Sequence, residues 1–169
     1  MEQSSVPEVY ESYISALRAL VRELRKQPHP NRDPLSDFSV WLVTMVTRGK
    51  CRDSSRKQGW DVESADGGRI RVKYLANSGE RWESEHLVLA SYTIDSYSLV
   101  VFECFLPQAV IIFPARRLAA VGRGLGRLED NLDTMLKFSH ANYRQLLNKA
   151  SFFKALGVKL YLPTDWRLR

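Results

Sequence analysis

The sequence predicts a layered α+β (mixed α/β) domain, a central sheet flanked by helices. Three observations lead there. Helical periodicity marks both ends of the chain; alternating and apolar runs of strand length fill its middle; and 44% hydrophobic with 26% charged residues is an ordinary globular balance. The 169 residues suit a single domain, because domains run about 100–200 residues. A chain of this size buries roughly 70% of its unfolded surface and needs no disulfide or metal to hold together. A disordered chain, a fibre and a disulfide-stapled miniprotein are therefore excluded.

Residues 8–26 read as an amphipathic helix, with Val9, Tyr13, Leu17, Leu20, Val21 and Leu24 three and four apart. Glu8 and Glu11 suit its N-terminus, Arg25 and Lys26 its C-terminus. The prolines of QPHPNRDP end it. Ser36 or Asp37 is expected to cap a second helix, FSVWLVTMVTRG, that stops at Gly49. A polar, basic loop over 50–59 follows.

GWDVES and RIRVKYLA alternate, and SADGG between them is turn chemistry, so a β-hairpin is expected. Residues directly opposite must share a face. That favours Trp60 opposite Tyr74, Val62 opposite Val72 and Ser64 opposite Ile70 on one face, with Asp61 opposite Lys73 and Glu63 opposite Arg71 on the other. The connection would be three or five residues long, around 65–69. YSLVVFECF (97–105) is short enough for a buried central strand, with Cys104 in the core, and AVIIF (109–113) returns after a turn. ARRLAAVG starts a short helix, a long helix spans about 139–156, and VKLYLP closes as an edge strand. The chain divides into an N-terminal helix with its Pro-rich connection (1–34), a core (35–114) and a C-terminal helical part (115–169).

The charge points to a polyanion. Lys and Arg number 25 against 19 acids, a net charge of +6. The excess is clustered. Arg48, Lys50, Arg52, Arg56 and Lys57 face one acid within 48–57, and Arg116, Arg117, Arg123 and Arg127 face none within 114–127. Such clusters suit phosphates, which release counterions when neutralised. The plainer reading is a solvated face that keeps the chain in solution. No apolar run reaches the ~18 residues of a membrane span. The N-terminal stretch carries acids where a signal peptide carries bases. A cytoplasmic protein with no membrane partner is expected.

Most signatures of chemistry are missing. GRGLG at 122–126 lacks the flanking strand and lysine of a phosphate loop. His29, His86 and His140 lack metal-ligand spacing, and Cys51 and Cys104 sit in no nucleophile motif. The hairpin stands out instead. Asp61, Glu63, Arg71 and Lys73 would share one face, where two acids can hold a hard divalent cation and a lysine can stabilise charge on a phosphate under attack. Two cross-strand ion pairs, worth roughly 0–1 kcal/mol each, would look the same.

The order of these elements, with Asp61 on one strand and Arg71-Val72-Lys73 on the next, resembles the restriction-endonuclease-like nucleases, the PD-(D/E)XK superfamily. The likeness is close over about 40 residues, from DFSVWLV to RVKYL, and its shape extends over about 35–114. It implies a mixed central sheet flanked by helices, Asp61 as a metal ligand and Lys73 as the catalytic lysine, with Mg²⁺ as cofactor. Arg71 stands where the family carries Glu or Gln, and Val40 where the preceding helix carries an acid. Glu63 would then substitute as the second catalytic acid and metal ligand.

Three functions follow. The first is a Mg-dependent endonuclease of restriction or phage-defence type, acting on double-stranded DNA gripped by Arg48, Lys50, Arg52, Arg56, Lys57, Arg116 and Arg117; enzymes that cut both strands are often homodimers. The second is a catalytically inactive nuclease-like subunit beside a catalytic partner, with Arg71 as a phosphate contact. The third is a protein-interaction module with no nucleic acid, anchored by Trp41, Trp82 or Trp166.

Overall fold

Asp33 opens the first element. Its carboxylate accepts the Leu35 N–H at 3.0 Å and caps helix α1, Pro34–Thr47. The expected caps, Ser36 and Asp37, lie inside the helix. Pro34 is not a breaker here but the first helical residue, where its missing N–H is not needed and its fixed φ suits the helix. The helix stops at Arg48, which takes the left-handed conformation (φ 51°), while Gly49 donates to the Thr44 carbonyl at 2.9 Å. Gly49 must be glycine, because a Cβ would lie 2.4 Å from the Glu63 carbonyl oxygen.

The structure is a computed structural model and describes residues 15–16, 18–19, 33–51, 59–77, 82, 85–104, 106–127 and 133–166. The expected N-terminal helix lies almost wholly outside them; its four described residues are helical and exposed.

After α1 come β1 (Lys50–Cys51), β2 (Val62–Glu63), β3 (Arg69–Asn77), β4 (His86–Leu89), β5 (Ser96–Glu103) and β6 (Leu106–Pro114). A 3₁₀ turn, Ala115–Arg117, leads into α2 (Leu118–Gly124). Then follow β7 (Met135–Phe138), α3 (His140–Asn148), α4 (Ala150–Ala155) and β8 (Lys159–Tyr161). Six strands form one mixed sheet in the order β1-β2-β3-β5-β6-β8. Among the described strands of this sheet only β3 and β5 run parallel; every other neighbour is antiparallel. The crossover between the two parallel strands carries β4, which pairs with β7 in a separate two-stranded sheet. Neither short strand was expected.

The two faces of the large sheet bury different partners. Ile70, Val72, Val100, Phe102, Val110 and Ile112 pack under Val40, Leu42 and Val43 of α1. On the other face Tyr97, Leu99, Val101, Ile111 and Phe113 meet Val88 and Phe138 of the small sheet and Leu118, Leu146 and Phe153 of the C-terminal helices. Full burial of such side chains stabilises by about 1.5–3 kcal/mol each.

Further expectations change. The C-terminal helix is two helices, α3 and α4, interrupted at Lys149 (φ −119°, ψ 35°). Of the expected apolar stripe of Tyr143, Leu146, Leu147, Ala150 and Phe153, Tyr143, Leu146 and Phe153 are buried and Leu147 is half-buried, while Ala150 is exposed. Cys104 is exposed, not core: β5 ends at Glu103, and Cys104 turns the chain with φ 49°. The hairpin exists, but its register is two residues from the expected one, with Val62 opposite Ile70 and Glu63 opposite Arg69. Ser64 donates to the Gly68 carbonyl at 2.9 Å, and Gly67 (φ 81°) makes the turn. A shift of two keeps every side chain on its face, so Val62, Ile70 and Val72 remain buried together.

Candidate functional site

The hairpin register decides where the motif residues meet. Continuing it by one residue sets Asp61 opposite Arg71, not opposite Lys73. There the chain bends, and the Asp61 Oδ2 accepts the Val72 N–H at 2.8 Å. A side chain that reaches a backbone N–H of the next strand lies beside the sheet face, in its hydrogen-bonding plane. Asp61 therefore leaves the face it was expected to share with Glu63, Arg71 and Lys73. It is anchored instead on the residue between Arg71 and Lys73.

Arg71 and Lys73 alternate with buried Ile70 and Val72, so both project from the face opposite α1. Lys73 is exposed and Arg71 half-buried. Glu63 is exposed on the same face, opposite Lys50 of β1 on one side and Arg69 of β3 on the other. Val40, at the position of the family's helical acid, is 8% exposed and packs in the core beneath α1. Asp37 lies on α1 and so belongs to the other side of the sheet.

The chemistry of the donors bears on a magnesium ion. Mg²⁺ takes oxygen ligands, usually one or two carboxylates with waters and substrate phosphates completing the shell. Asp61 offers Oδ1 beside its committed Oδ2, and Glu63 offers an exposed carboxylate two residues on. Those two residues are the ones that would hold the ion. Arg71 opposite Asp61 opposes a cation there. Among the described residues no group of three or more His, Cys, Asp or Glu converges.

Of the expected phosphate contacts, Arg48 and Lys50 are exposed where α1 passes into β1, while Arg52, Arg56 and Lys57 lie outside the described residues. Arg116 and Arg117 are exposed in the 3₁₀ turn after β6. They stand at the end of the sheet where β3 and β5 begin. There Arg69 pairs with Asp95 at 3.0 Å, and Asp95 also accepts the Arg69 N–H at 3.0 Å. The Asp95 carboxyl is held below its ordinary pKa, first by the Arg69 side chain, then by the Arg69 backbone and the charges of Arg69 and Arg116.

Sequence reasoning missed His86 and Tyr97. Tyr97 on β5 is the register partner of Arg71 and is buried. His86 on β4 crosses above it, with Nε2 2.9 Å from the Tyr97 Oη. Burial and then the neighbouring Lys73 charge lower the His86 pKa. Burial pushes the Tyr97 phenol up to about 12, against the opposing pull of Arg71. Arg71, Lys73, His86 and Tyr97 thus form one corner. A lone histidine in a polar stretch gave no signal of this, because the contact spans two sheets.

No described helix is long and apolar enough to cross a membrane. Comparison with protein-family models finds no match, and comparison with curated proteins finds none either.

Proposed function

We propose that the chain is a DNA-binding protein of restriction-endonuclease-like build that cleaves phosphodiester bonds with Mg²⁺. The observation that carries this reading is the 2.8 Å bond from the Val72 N–H to Asp61, which anchors Asp61 on the residue between Arg71 and Lys73. Arg71 and Lys73 bind and orient a backbone phosphate, since phosphate contacts position a duplex without reading its sequence. Lys73 stabilises negative charge that develops on the phosphate. Asp61 and Glu63 would hold Mg²⁺, which would supply charge neutralisation at the phosphate and a more acidic water. Arg48 and Lys50 on one side and Arg116 and Arg117 on the other extend the grip along the backbone. Cutting both strands of a duplex would call for a homodimer.

A second reading is favoured by Arg71, which stands opposite Asp61 where the family has an acid or glutamine. A duplex-binding subunit without chemistry, working beside a catalytic partner, would use Arg71 as one more phosphate contact. The two readings part in a cleavage assay on plasmid and phage DNA with Mg²⁺ or Mn²⁺, run beside Asp61→Asn. Cuts that vanish in the variant establish the nuclease. Cuts that persist there assign the chemistry elsewhere. A salt-dependent gel shift without cuts leaves the binding subunit. Absence of both cuts and shift removes DNA as the partner.

A further inference from the structure

We infer that His86 is a phosphate-binding residue of the same corner, completing with Arg71 and Lys73 a three-armed seat for one phosphate group. The inference deepens the DNA reading above and rests on it.

The placement comes from register. Arg71 and Lys73 project from the same face of β3, and Arg71 lies beside Tyr97 of the parallel strand β5. Tyr97 holds the imidazole: its Oη lies 2.9 Å from Nε2 and 3.3 Å from the Leu87 carbonyl oxygen. The rings are 6.1 Å apart and tilted by 54°. With Nε2 committed to Tyr97, Nδ1 is the remaining polar atom of the ring.

The charges around the ring favour an anion. Lys73 stands close enough to oppose a second positive charge on the imidazole. Strand β4 is His86-Leu87-Val88-Leu89 and its partner β7 is Met135-Leu136-Lys137-Phe138, so neither brings an acid. Glu85, adjacent in sequence, is paired with Arg127. With the Tyr97 hydroxyl donating to Nε2 at 2.9 Å, the neutral ring carries its proton on Nδ1, and a phosphate oxygen arriving between Arg71 and Lys73 meets a held N–H donor. Hydrogen bonds to an anion are the strong kind, and a donor already held in place loses little freedom on binding.

The test reads the imidazole itself. In ¹⁵N-labelled protein the His86 Nδ1 signal is followed during titration with inorganic phosphate and then with a short DNA duplex. It should shift with both, while the signals of His29 and His140 stay in place with phosphate. Two variants separate the ring atoms. His86→Gln keeps an amide near the Nε2 position, holds Tyr97 and loses the phosphate donor; duplex binding should weaken about tenfold with an unchanged thermal midpoint. His86→Asn keeps a donor near Nδ1 and should recover part of that loss. A His86 signal that ignores both ligands overturns the inference, as does a His86→Gln protein that binds duplex like the wild type. If Lys73→Gln meanwhile loses duplex binding, the DNA reading stands without His86. A wild type that shifts with phosphate and ignores duplex keeps the seat and overturns the DNA reading.

Discussion

The Asp61 carboxylate accepts the backbone N–H of Val72 at 2.8 Å, where the pairing of β2 with β3 ends. One oxygen thereby closes the hairpin, and the other faces away from that bond. On the proposed nuclease reading the same residue would also serve a phosphate site, and the two duties can be separated by substitution.

Asp61→Ala removes the acceptor and leaves the N–H of buried Val72 unpaired. An unsatisfied buried donor costs about 1–3 kcal/mol, which a urea titration would read as a lower midpoint at unchanged slope. Asp61→Asn retains an oxygen for Val72 and should stay within about 1 kcal/mol of the wild type. If the nuclease reading holds, the asparagine variant folds normally and does not cut. Equal destabilisation by both variants would show that charge, not the acceptor oxygen, supports the strand.

Arg71 and Lys73 should act as phosphate contacts of the same kind. Each contact contributes to the salt dependence of binding through the counterion it releases. Arg71→Gln and Lys73→Gln should each lower the slope of log affinity against log salt by about one and weaken binding to all sequences alike. Loss of affinity for some sequences only would make either residue a base reader instead.

The sheet was legible because its signals are local. The run over β5 and the alternation of β2 and β3 declare buried and half-buried strands, and the faces of Val62, Ile70 and Val72 came out as read. The pairing itself slipped by two residues, because Gly67 takes the positive φ and closes the turn between Ser64 and Gly68, one residue before the expected centre. Strands β4 and β7 are four residues each and pair across the intervening β5, β6 and α2, so neither shows a period of its own. That pairing is what brings His86 over Tyr97, and it explains why half of the candidate corner was invisible in the sequence. Cys104 reads as core because the apolar run continues past Glu103, yet the chain has already turned outward there.

Ser98 offers a check on the core. It is fully buried on β5 between its register partners Val72 and Ile112, and its hydroxyl has no partner among the described residues. A buried hydroxyl without a hydrogen bond costs about 1–3 kcal/mol. Ser98→Ala removes that hydroxyl and leaves only a small void, so it should be neutral or stabilising by up to about 1 kcal/mol. Destabilisation beyond that in thermal unfolding would mean that the hydroxyl is satisfied, for instance by a trapped water.

Asp95 should link stability to acid. Its carboxyl is held below the ordinary value by Arg69 in the folded protein, whereas in the unfolded chain it titrates near its usual ~3.9. A folded pKa below the unfolded one means that the unfolded state binds the proton first as pH falls. The stabilisation is therefore whole above the unfolded value and is lost as pH drops through the folded one. The pair is about 40% exposed on both sides, so solvent screens it and the effect is small. Asp95→Asn should lower the urea midpoint at pH 7, and the gap to the wild type should close as the pH falls below about 4. The backbone N–H of Arg69 also bonds to this carboxylate, and the asparagine oxygen can still accept it, so the charge is what the comparison isolates. A gap that persists unchanged at low pH would show that the loss of charge is not what destabilises the variant.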